Sequence, residues 1–420
     1  MKKSVILFPG QGPQYPGMGK MFYDSSDEVR VIYRQASEWL EYDLAQHSFE
    51  GTLDGLSDTR YTQPAILVAG YSAYRYYIAN LGLAGLPWFL AGHSMGEITA
   101  LLCSGALSFK DALRLTVKRG ELMNRVSQTK GGTMAAVKEL YWKDTERICR
   151  QISTAEEHVS VAAYNSDRQT VITGHAKAVE EAGKSCAESG GIFMPLNITV
   201  GSHCPFMQDI LEEYGDFVSR LKINRPEIPV YCCLTGQLYS SASEIEKNIT
   251  DQLVNPVLWN KILKDLKRRD AGIFLEAGPG TAVGKFIEGN EGIVISLERS
   301  SIDKVREEMG RQVKFIPTPI TKCLALMVSI PDMNDRPGEY NNNFHKLYRH
   351  LQSLQDTMEK EERLPAMDEI QAAVRLLEPA CFSKRIPSTL MQVLKDELIR
   401  QFPYTLDLLP AESDAHKFVI

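Results

Sequence analysis

Ser94 is the residue whose surroundings point most directly to chemistry. It is the centre of Gly92-His93-Ser94-Met95-Gly96, a G-x-S-x-G pentapeptide. A short apolar run at 88–91 precedes it and a helical pattern at 97–103 follows, which is the strand-turn-helix context of a nucleophile elbow. Such a turn presents the serine Oγ at the carboxyl edge of a sheet, and only small residues fit on either side of it. The N-terminus of the following helix also favours a developing oxyanion. Taken alone, the pentapeptide fits a nucleophile and a structural turn equally well.

A serine at such a turn needs a base, and His203 is the most suggestive of the eight histidines. It lies in the segment 200–205, a loop that follows a predicted small domain. Histidine in such a place can take a proton from a serine hydroxyl and return it later. Without further motifs, the alternative is that His203 is an ordinary loop histidine with no catalytic role.

The positions of Ser94 and His203 depend on the elements around them. Up to about residue 130, short apolar runs alternate with helical patterns, which indicates an α/β domain. Residues 133–196 follow the order strand, helix, strand, strand, helix, strand, which predicts an inserted ferredoxin-like unit. Apolar runs at 229–234, 272–280 and 293–296 then return the chain to the α/β domain. We therefore predict an α/β domain at 1–130 and 197–300 and a ferredoxin-like subdomain at 131–196.

The last third of the chain has a different character. Pro317 and Pro319 interrupt regular structure, and long helical patterns follow at 343–363, 367–377 and 387–402. These helices carry no motif with chemical potential. Residues 301–420 are predicted to form a helical C-terminal extension.

Composition excludes several classes of function. The chain has 420 residues, 24% of them charged, and a formal net charge of −6, so nothing indicates nucleic-acid binding. No run approaches the ~18–20 apolar residues of a membrane span, and the apolar start at 4–10 is too short for a signal peptide. The eight cysteines show no metal-ligand spacing. We expect a soluble, cytoplasmic protein without a metal site.

Several motifs together resemble the malonyl-CoA:acyl carrier protein transacylases and the related acyltransferase domains of polyketide and fatty acid synthases. The resemblance covers about residues 1–300 and is specific because the motifs occur in the same order and spacing. The motifs are Phe8-Pro9-Gly10-Gln11-Gly12 with Gly17-Met18-Gly19, Gly92-His93-Ser94-Met95-Gly96-Glu97, Arg119-Gly120-Glu121-Leu122-Met123, Ala163-Tyr164-Asn165-Ser166, Ser202-His203-Cys204-Pro205-Phe206-Met207, 251–259 and 274–280.

The resemblance implies a fold and a set of roles. The fold would be an α/β-hydrolase-like large domain with the inserted ferredoxin-like subdomain. Ser94 would attack a thioester while His203 takes its proton, and Gln252 would support His203 in place of an acidic triad member. The backbone N–H groups of Gln11 and Met95 would form the oxyanion hole. Arg119 would pair with the carboxylate of a malonyl group.

The resemblance also implies substrates and partners. The substrate-binding residues would include Asn165, Ser202 and His93 besides Arg119. No cofactor would be bound, acyl-CoA would be the donor, and the acceptor would be the phosphopantetheine thiol of an acyl carrier protein. The small residues Gly201 and Ser202 leave room for an α-substituent on the malonyl group. A monomer is expected.

Three functions stay open at this point. The chain fits a discrete, trans-acting acyltransferase of a polyketide or hybrid peptide-polyketide assembly line, because helical extensions occur on such enzymes, and their donors include carrier proteins as well as CoA. An editing hydrolase that removes acyl groups from carrier proteins is an alternative, although such relatives often lack the arginine found at Arg119. A non-catalytic docking factor would be expected to have lost Ser94 or His203.

Overall fold

The computed structural model describes residues 3–81, 87–130, 132–196, 198, 200–287, 292–313, 318–329, 341–361, 363, 365–384, 391, 394, 395 and 398. The chain divides into two compact units. The larger unit comprises Lys3–Tyr76 and Pro87–Ser300, and the smaller unit comprises 77–81 with the described residues from Ser301 onward. None of the helices in these ranges is long and apolar enough to cross a membrane.

All strands of the described ranges belong to the larger unit and form two sheets. The strands are β1 Lys3–Phe8, β2 Phe89–Gly92, β3 Thr133–Lys138, β4 Val159–Ser166, β5 Gln169–Gly174, β6 Ile192–Pro195, β7 Val230–Tyr231, β8 Ala271–Glu276 and β9 Ile293–Ser296. The first sheet has the order β7-β2-β1-β8-β9, and every pairing in it is parallel. The second has the order β4-β5-β3-β6, and every pairing in it is antiparallel.

The parallel sheet is apolar because its central strands are covered on both faces. Val5, Ile6, Leu7 and Phe8 of β1 are fully buried. Helices surround the sheet and the small antiparallel sheet. The α-helices of the larger unit are α1 Lys20–Ser25, α2 Asp27–Leu40, α3 Leu44–Glu50, α4 Leu53–Ser57, α5 Thr59–Leu81, α6 Gly96–Cys103, α7 Phe109–Lys130, α8 Trp142–Ile152, α9 Ala176–Glu188, α10 Gln208–Val218, α11 Ala242–Asp251 and α12 Trp259–Arg268. Helix α5 belongs to the larger unit as far as Tyr76, and its remaining residues belong to the smaller unit.

The smaller unit is helical. Its helices after residue 301 are α13 Ile302–Val313, α14 Pro319–Ser329, α15 Asn341–Lys360 and α16 Met367–Ser383. Buried side chains of α14, α15 and α16, among them Met327, Leu351 and Val374, form one apolar cluster. The sequence predicted α15 and α16 but not α13 and α14. The predicted helix at 387–402 lies mostly outside the described residues.

The predicted fold class is confirmed. An α/β unit with a parallel sheet carries a separate four-stranded antiparallel sheet, whose order β4-β5-β3-β6 and helices α8 and α9 are those of a ferredoxin-like unit. The strand predicted at 229–234 is much shorter, because Cys232 already accepts a turn hydrogen bond from the N–H of Gly236 at 2.8 Å. The boundaries proposed at 130, 196 and 300 stay predictions.

Candidate active site

Ser94 lies at the sharp turn between the end of β2 and the start of α6. Its φ of 52° is in the left-handed region, which a residue with a side chain rarely adopts. The two flanking glycines are required by space. A Cβ on Gly92 would lie 2.0 Å from the backbone of Gly96, and a Cβ on Gly96 would lie 2.3 Å from the carbonyl oxygen of Phe8. The turn is therefore packed directly against the end of β1.

His203 meets this serine across 109 positions of sequence. The Oγ of Ser94 lies 2.7 Å from Nε2 of His203. The other ring nitrogen, Nδ1, lies 2.9 Å from the carbonyl oxygen of Gln252 and 3.2 Å from that of Asn255. Since carbonyl oxygens only accept, Nδ1 carries the proton and Nε2 is left to accept the hydrogen bond of the serine. The tautomer needed for a general base is thus fixed by the main chain.

The environment of His203 keeps its imidazole neutral. Burial, and after it the nearby positive charge of Arg119, lower the pKa of His203 to about 3. Only 6% of the residue is exposed. A buried neutral imidazole next to a serine hydroxyl can take a proton at neutral pH without first losing one.

Gln252 contacts the histidine in a way that the motif does not reveal. Its main-chain carbonyl, not its side chain, accepts from His203. The side-chain amide Nε2 instead donates to the carboxylate of Glu97 at 2.6 Å and lies 3.4 Å from the carbonyl oxygen of Ser94. No carboxylate of the described ranges hydrogen-bonds to His203.

Glu97 is a residue of the site to which sequence reasoning gave no role. It lies in the first turn of α6, three positions after Ser94, and is 1% exposed. Its carboxylate accepts from Gln252, from the N–H of Cys233 at 3.0 Å and from the hydroxyl of Tyr239. Burial raises the pKa of Glu97, and these hydrogen bonds oppose that rise. The sequence signals are its place at the end of the Gly92–Glu97 motif and its acidic side chain in a helix whose other residues are buried.

Arg119 extends from α7 to the nucleophile. Its Nη2 lies 3.1 Å from the Oγ of Ser94, and its Nη1 donates to Oε1 of Gln63 at 3.1 Å. The residue is 3% exposed, and burial lowers its pKa. No ion pair joins Arg119 to a carboxylate in the described part of the chain. A guanidinium has five N–H donors, so several stay available beside the serine. Gln63, which orients this arginine, was not predicted.

The three other predicted substrate-binding residues fall into two groups. Nε2 of His93 lies 2.8 Å from Oδ1 of Asn165, and the His93 ring lies 5.5 Å from that of Trp259. Burial lowers the pKa of His93 to about 4, so this ring is also neutral. Ser202 is buried beside His203, and its Oγ lies 3.4 Å from Sδ of Met134. Within the described ranges, Ser202 makes no hydrogen bond to Ser94 or Arg119.

Gln11 and Met95 lie on either side of the turn. Met95 directly follows Ser94 and precedes the first residue of α6. The loop after β1 passes close to the same turn, because a Cβ on Gly10 would lie 2.6 Å from the carbonyl oxygen of His93. The Gln11 side chain donates to Oγ1 of Thr59 at 3.3 Å. Among the residues that the structure describes, the backbone N–H groups of Gln11 and Met95 donate no hydrogen bond.

The arrangement supports one kind of chemistry. A serine hydroxyl in contact with a neutral imidazole can act as a nucleophile. A buried guanidinium without an anionic partner lies within reach of the same oxygen, and a buried unpaired charge is costly unless an anion joins it. In the described ranges, no group of three or more His, Cys, Asp or Glu residues is arranged to hold a metal ion. The site therefore suits covalent transfer of an acyl group that carries its own negative charge.

Comparison with known proteins places this geometry in context. Residues 5–288 match the acyl transferase domain family. A malonyl CoA-acyl carrier protein transacylase of Haemophilus influenzae is 34% identical over 312 residues, which is 73% of this chain and 96% of the relative. One of that name from Bacillus subtilis is 28% identical over 394 residues, 92% of this chain and 98% of the relative. A solved malonyl-transacylase in complex with its type II PKS acyl-carrier protein has a TM-score of 0.68 and 30% identity, covering 72% of this chain and 97% of that one.

Proposed function

The chain belongs to the acyl transferase domain family, among the malonyl CoA-acyl carrier protein transacylases, and we propose that it moves a malonyl-type group from CoA to an acyl carrier protein through an ester on Ser94. The observation that carries the proposal is the buried Arg119, which hydrogen-bonds to Gln63 and to the Oγ of Ser94 and has no carboxylate partner within the described ranges. A malonyl carboxylate would supply the missing anion and would place the thioester carbonyl beside the serine.

The first half of the reaction forms the acyl-enzyme. His203 takes the hydroxyl proton of Ser94 on Nε2 while Oγ attacks the thioester carbon. The N–H groups of Gln11 and Met95 would receive the negative charge that forms on the carbonyl oxygen, and such donors contribute ~10²–10³ in rate each. When the carbon–sulfur bond breaks, the imidazolium gives its proton to the departing CoA sulfur.

The second half regenerates the serine. His203 takes the proton of the phosphopantetheine thiol, and the resulting thiolate attacks the ester carbon. The bond from that carbon to Oγ breaks, and the proton on Nε2 returns to Ser94. His93 and Asn165, hydrogen-bonded to each other at 2.8 Å, would line the acyl side of the site together with Ser202.

Three finer points belong to the same proposal. Small residues at Gly201 and Ser202 would admit an α-substituted malonyl group, and the donor could be a carrier protein as well as CoA. A discrete, trans-acting enzyme of an assembly line is favoured by the helical extension. The relative from Bacillus subtilis matches 92% of this chain, so that its similarity extends into this region. The monomeric state and the cytoplasmic location stay predictions.

The direct test is the mass of the intact protein after incubation with malonyl-, methylmalonyl- or acetyl-CoA, followed by addition of a holo acyl carrier protein. We expect the malonyl mass on the wild type, its absence on Ser94→Ala, and its movement to the carrier protein without loss to water. Loading with rapid release of free acid would favour the editing hydrolase instead. No loading from any CoA ester, but loading from acylated carrier proteins, would refute CoA as the donor.

A further inference from the structure

Among the described residues, Glu97 is the carboxylate that lies buried at the catalytic turn, and the proposed reaction does not use it. Three donors converge on it from distant parts of the chain. They are the N–H of Cys233, the hydroxyl of Tyr239 and the side-chain amide of Gln252, which are 136, 142 and 155 positions away. No lysine, arginine or histidine of the described ranges forms an ion pair with it.

Glu276 is a second buried carboxylate, and its hydrogen bonds are all local. Glu276, at the end of β8, is fully buried and also accepts from three donors. All of them are backbone N–H groups within eight positions, at 282, 283 and 284. Glu276 therefore closes one turn. The donors of Glu97 instead come from separate segments, so that its carboxylate fixes these segments relative to α6.

One of these three donors, Gln252, contacts both residues of the catalytic pair. The N–H of Glu97 donates to the carbonyl oxygen of Ser94 at 3.0 Å, and the same oxygen lies 3.4 Å from the Gln252 amide that Glu97 holds. The main-chain carbonyl of Gln252 then accepts from Nδ1 of His203 at 2.9 Å. Gln252 thus links Glu97 to His203, because its side-chain amide donates to the Glu97 carboxylate and its main-chain carbonyl accepts from His203.

The backbone of the catalytic pair requires such support. Ser94 and His203 have φ values of 52° and 59°, both in the left-handed region. Residues with side chains persist there only when surrounding contacts hold them, and they relax when those contacts are lost. A small relaxation at either residue would lengthen the 2.7 Å contact between Oγ and Nε2.

We propose that Glu97 is a positioning residue that holds the Gln252 main chain against His203 and so sets the distance between His203 and Ser94. This role of Glu97 depends on the proposed function in one respect only, which is that the first assay below uses malonyl-CoA as the donor. The proposal assigns Glu97 no contact with substrate. Its effect would be on the rate of the chemical step and not on substrate affinity.

Glu97→Gln is the sharpest perturbation because it keeps size and shape. The new amide has one acceptor oxygen for three donors, and its own NH₂ would face the NH₂ of Gln252. We expect the rate of Ser94 acylation to fall about 10²-fold, since a misplacement of about 1 Å costs that much, while KM for malonyl-CoA changes by less than about twofold. Glu276→Gln is the matched control. It removes an equally buried carboxylate and is expected to lower the thermal midpoint without lowering the acylation rate of the folded enzyme.

The exchanged pair Glu97→Gln with Gln252→Glu separates positioning from general destabilisation. It restores one amide facing one carboxylate in the opposite sense, and we expect it to recover at least tenfold of the lost rate. Gln252→Glu alone places two carboxylates together and should be as slow as Glu97→Gln. The proposal is overturned if Glu97→Gln keeps the wild-type rate, if it raises KM as much as it lowers the rate, or if the exchanged pair is no faster than the single variants.

A second readout keeps this test independent of the acyl donor. An alkyl fluorophosphonate reacts with a serine that a base activates, whatever the natural substrate is. Its rate of reaction with Ser94 should fall in Glu97→Gln and recover in the exchanged pair. If the wild type reacts with this probe but does not load malonyl from malonyl-CoA, the proposed function fails while the role of Glu97 is still decided by the variants.

Discussion

Replacing Arg119 by alanine tests how the site would select a dicarboxylic acyl group. The guanidinium is 3% exposed, so a malonyl carboxylate bound to it would also be removed from water. Breaking a buried ion pair by removing one partner costs about 3–5 kcal/mol. At 1.4 kcal/mol per factor of ten, kcat/KM for malonyl-CoA should fall by roughly 10²–10⁴. Acetyl-CoA has no carboxylate to leave unpaired, and its kcat/KM should change by less than about threefold.

The assay is the initial rate of Ser94 acylation with each donor, measured by the mass of the intact protein after rapid quenching. Arg125→Ala is the control, because Arg125 lies on the same helix but is half exposed and pairs with Glu213 at the surface. It should leave both rates unchanged. An unchanged malonyl rate in Arg119→Ala, or an equal loss with both donors, would refute selection by this arginine.

Two further predictions follow from the same geometry. With the pKa of His203 lowered to about 3, kcat/KM for acylation should stay level from pH 7.5 to about pH 5. The first-order acylation rate at saturation should begin to fall at a higher pH, because a bound carboxylate offsets the Arg119 charge that helps to lower this pKa. A tenfold loss of kcat/KM per pH unit below 6.5 would contradict the first expectation, and a rate at saturation that falls at the same pH as kcat/KM would contradict the second. Gly96→Ala places a Cβ 2.3 Å from the carbonyl oxygen of Phe8, so the free energy of unfolding should fall by about 3 kcal/mol and acylation should be lost. Gly215→Ala in α10, which meets only a Thr250 side chain at 3.3 Å, should show neither effect in thermal melts and acylation assays.

Much of the fold could be read from the sequence because its signals are local. The order of strands and helices at 133–196 predicted the small antiparallel sheet and the two helices, α8 and α9, that accompany it. The strand at Val230–Tyr231 was predicted too long, because an apolar run does not show where a turn begins. Within the predicted helical extension, α13 and α14 were not predicted individually. For α14 the reason is that the prolines at 317 and 319 indicated a break and not a helix that starts at Pro319.

The residues of the site likewise fall into those that sequence motifs predict and those whose contacts depend on the packing of distant segments. Motifs predicted Ser94, His203 and Arg119 as site residues. The structure places the side chains of His203 and Arg119 within hydrogen-bond distance of the Oγ of Ser94. The way in which Gln252 meets His203 could not be predicted, because a main-chain carbonyl is the same in every residue type. The contacts of Glu97 with Cys233 and Tyr239 depend on how distant segments pack, which no local pattern encodes.

The two main-chain carbonyls on Nδ1 of His203 also bear on how long an acyl-serine survives. A carbonyl offers a partial charge where a carboxylate would offer a full one, so it stabilises an imidazolium less. Water is a far weaker acid than a thiol, whose pKa is about 8.5, so removing a proton from water demands far more of such a base. We expect the ester to persist in water for many turnover times and to react promptly once a thiol enters. The weak support that the main-chain carbonyls of Gln252 and Asn255 give to the imidazolium would therefore add to the preference of the intermediate for a thiol acceptor.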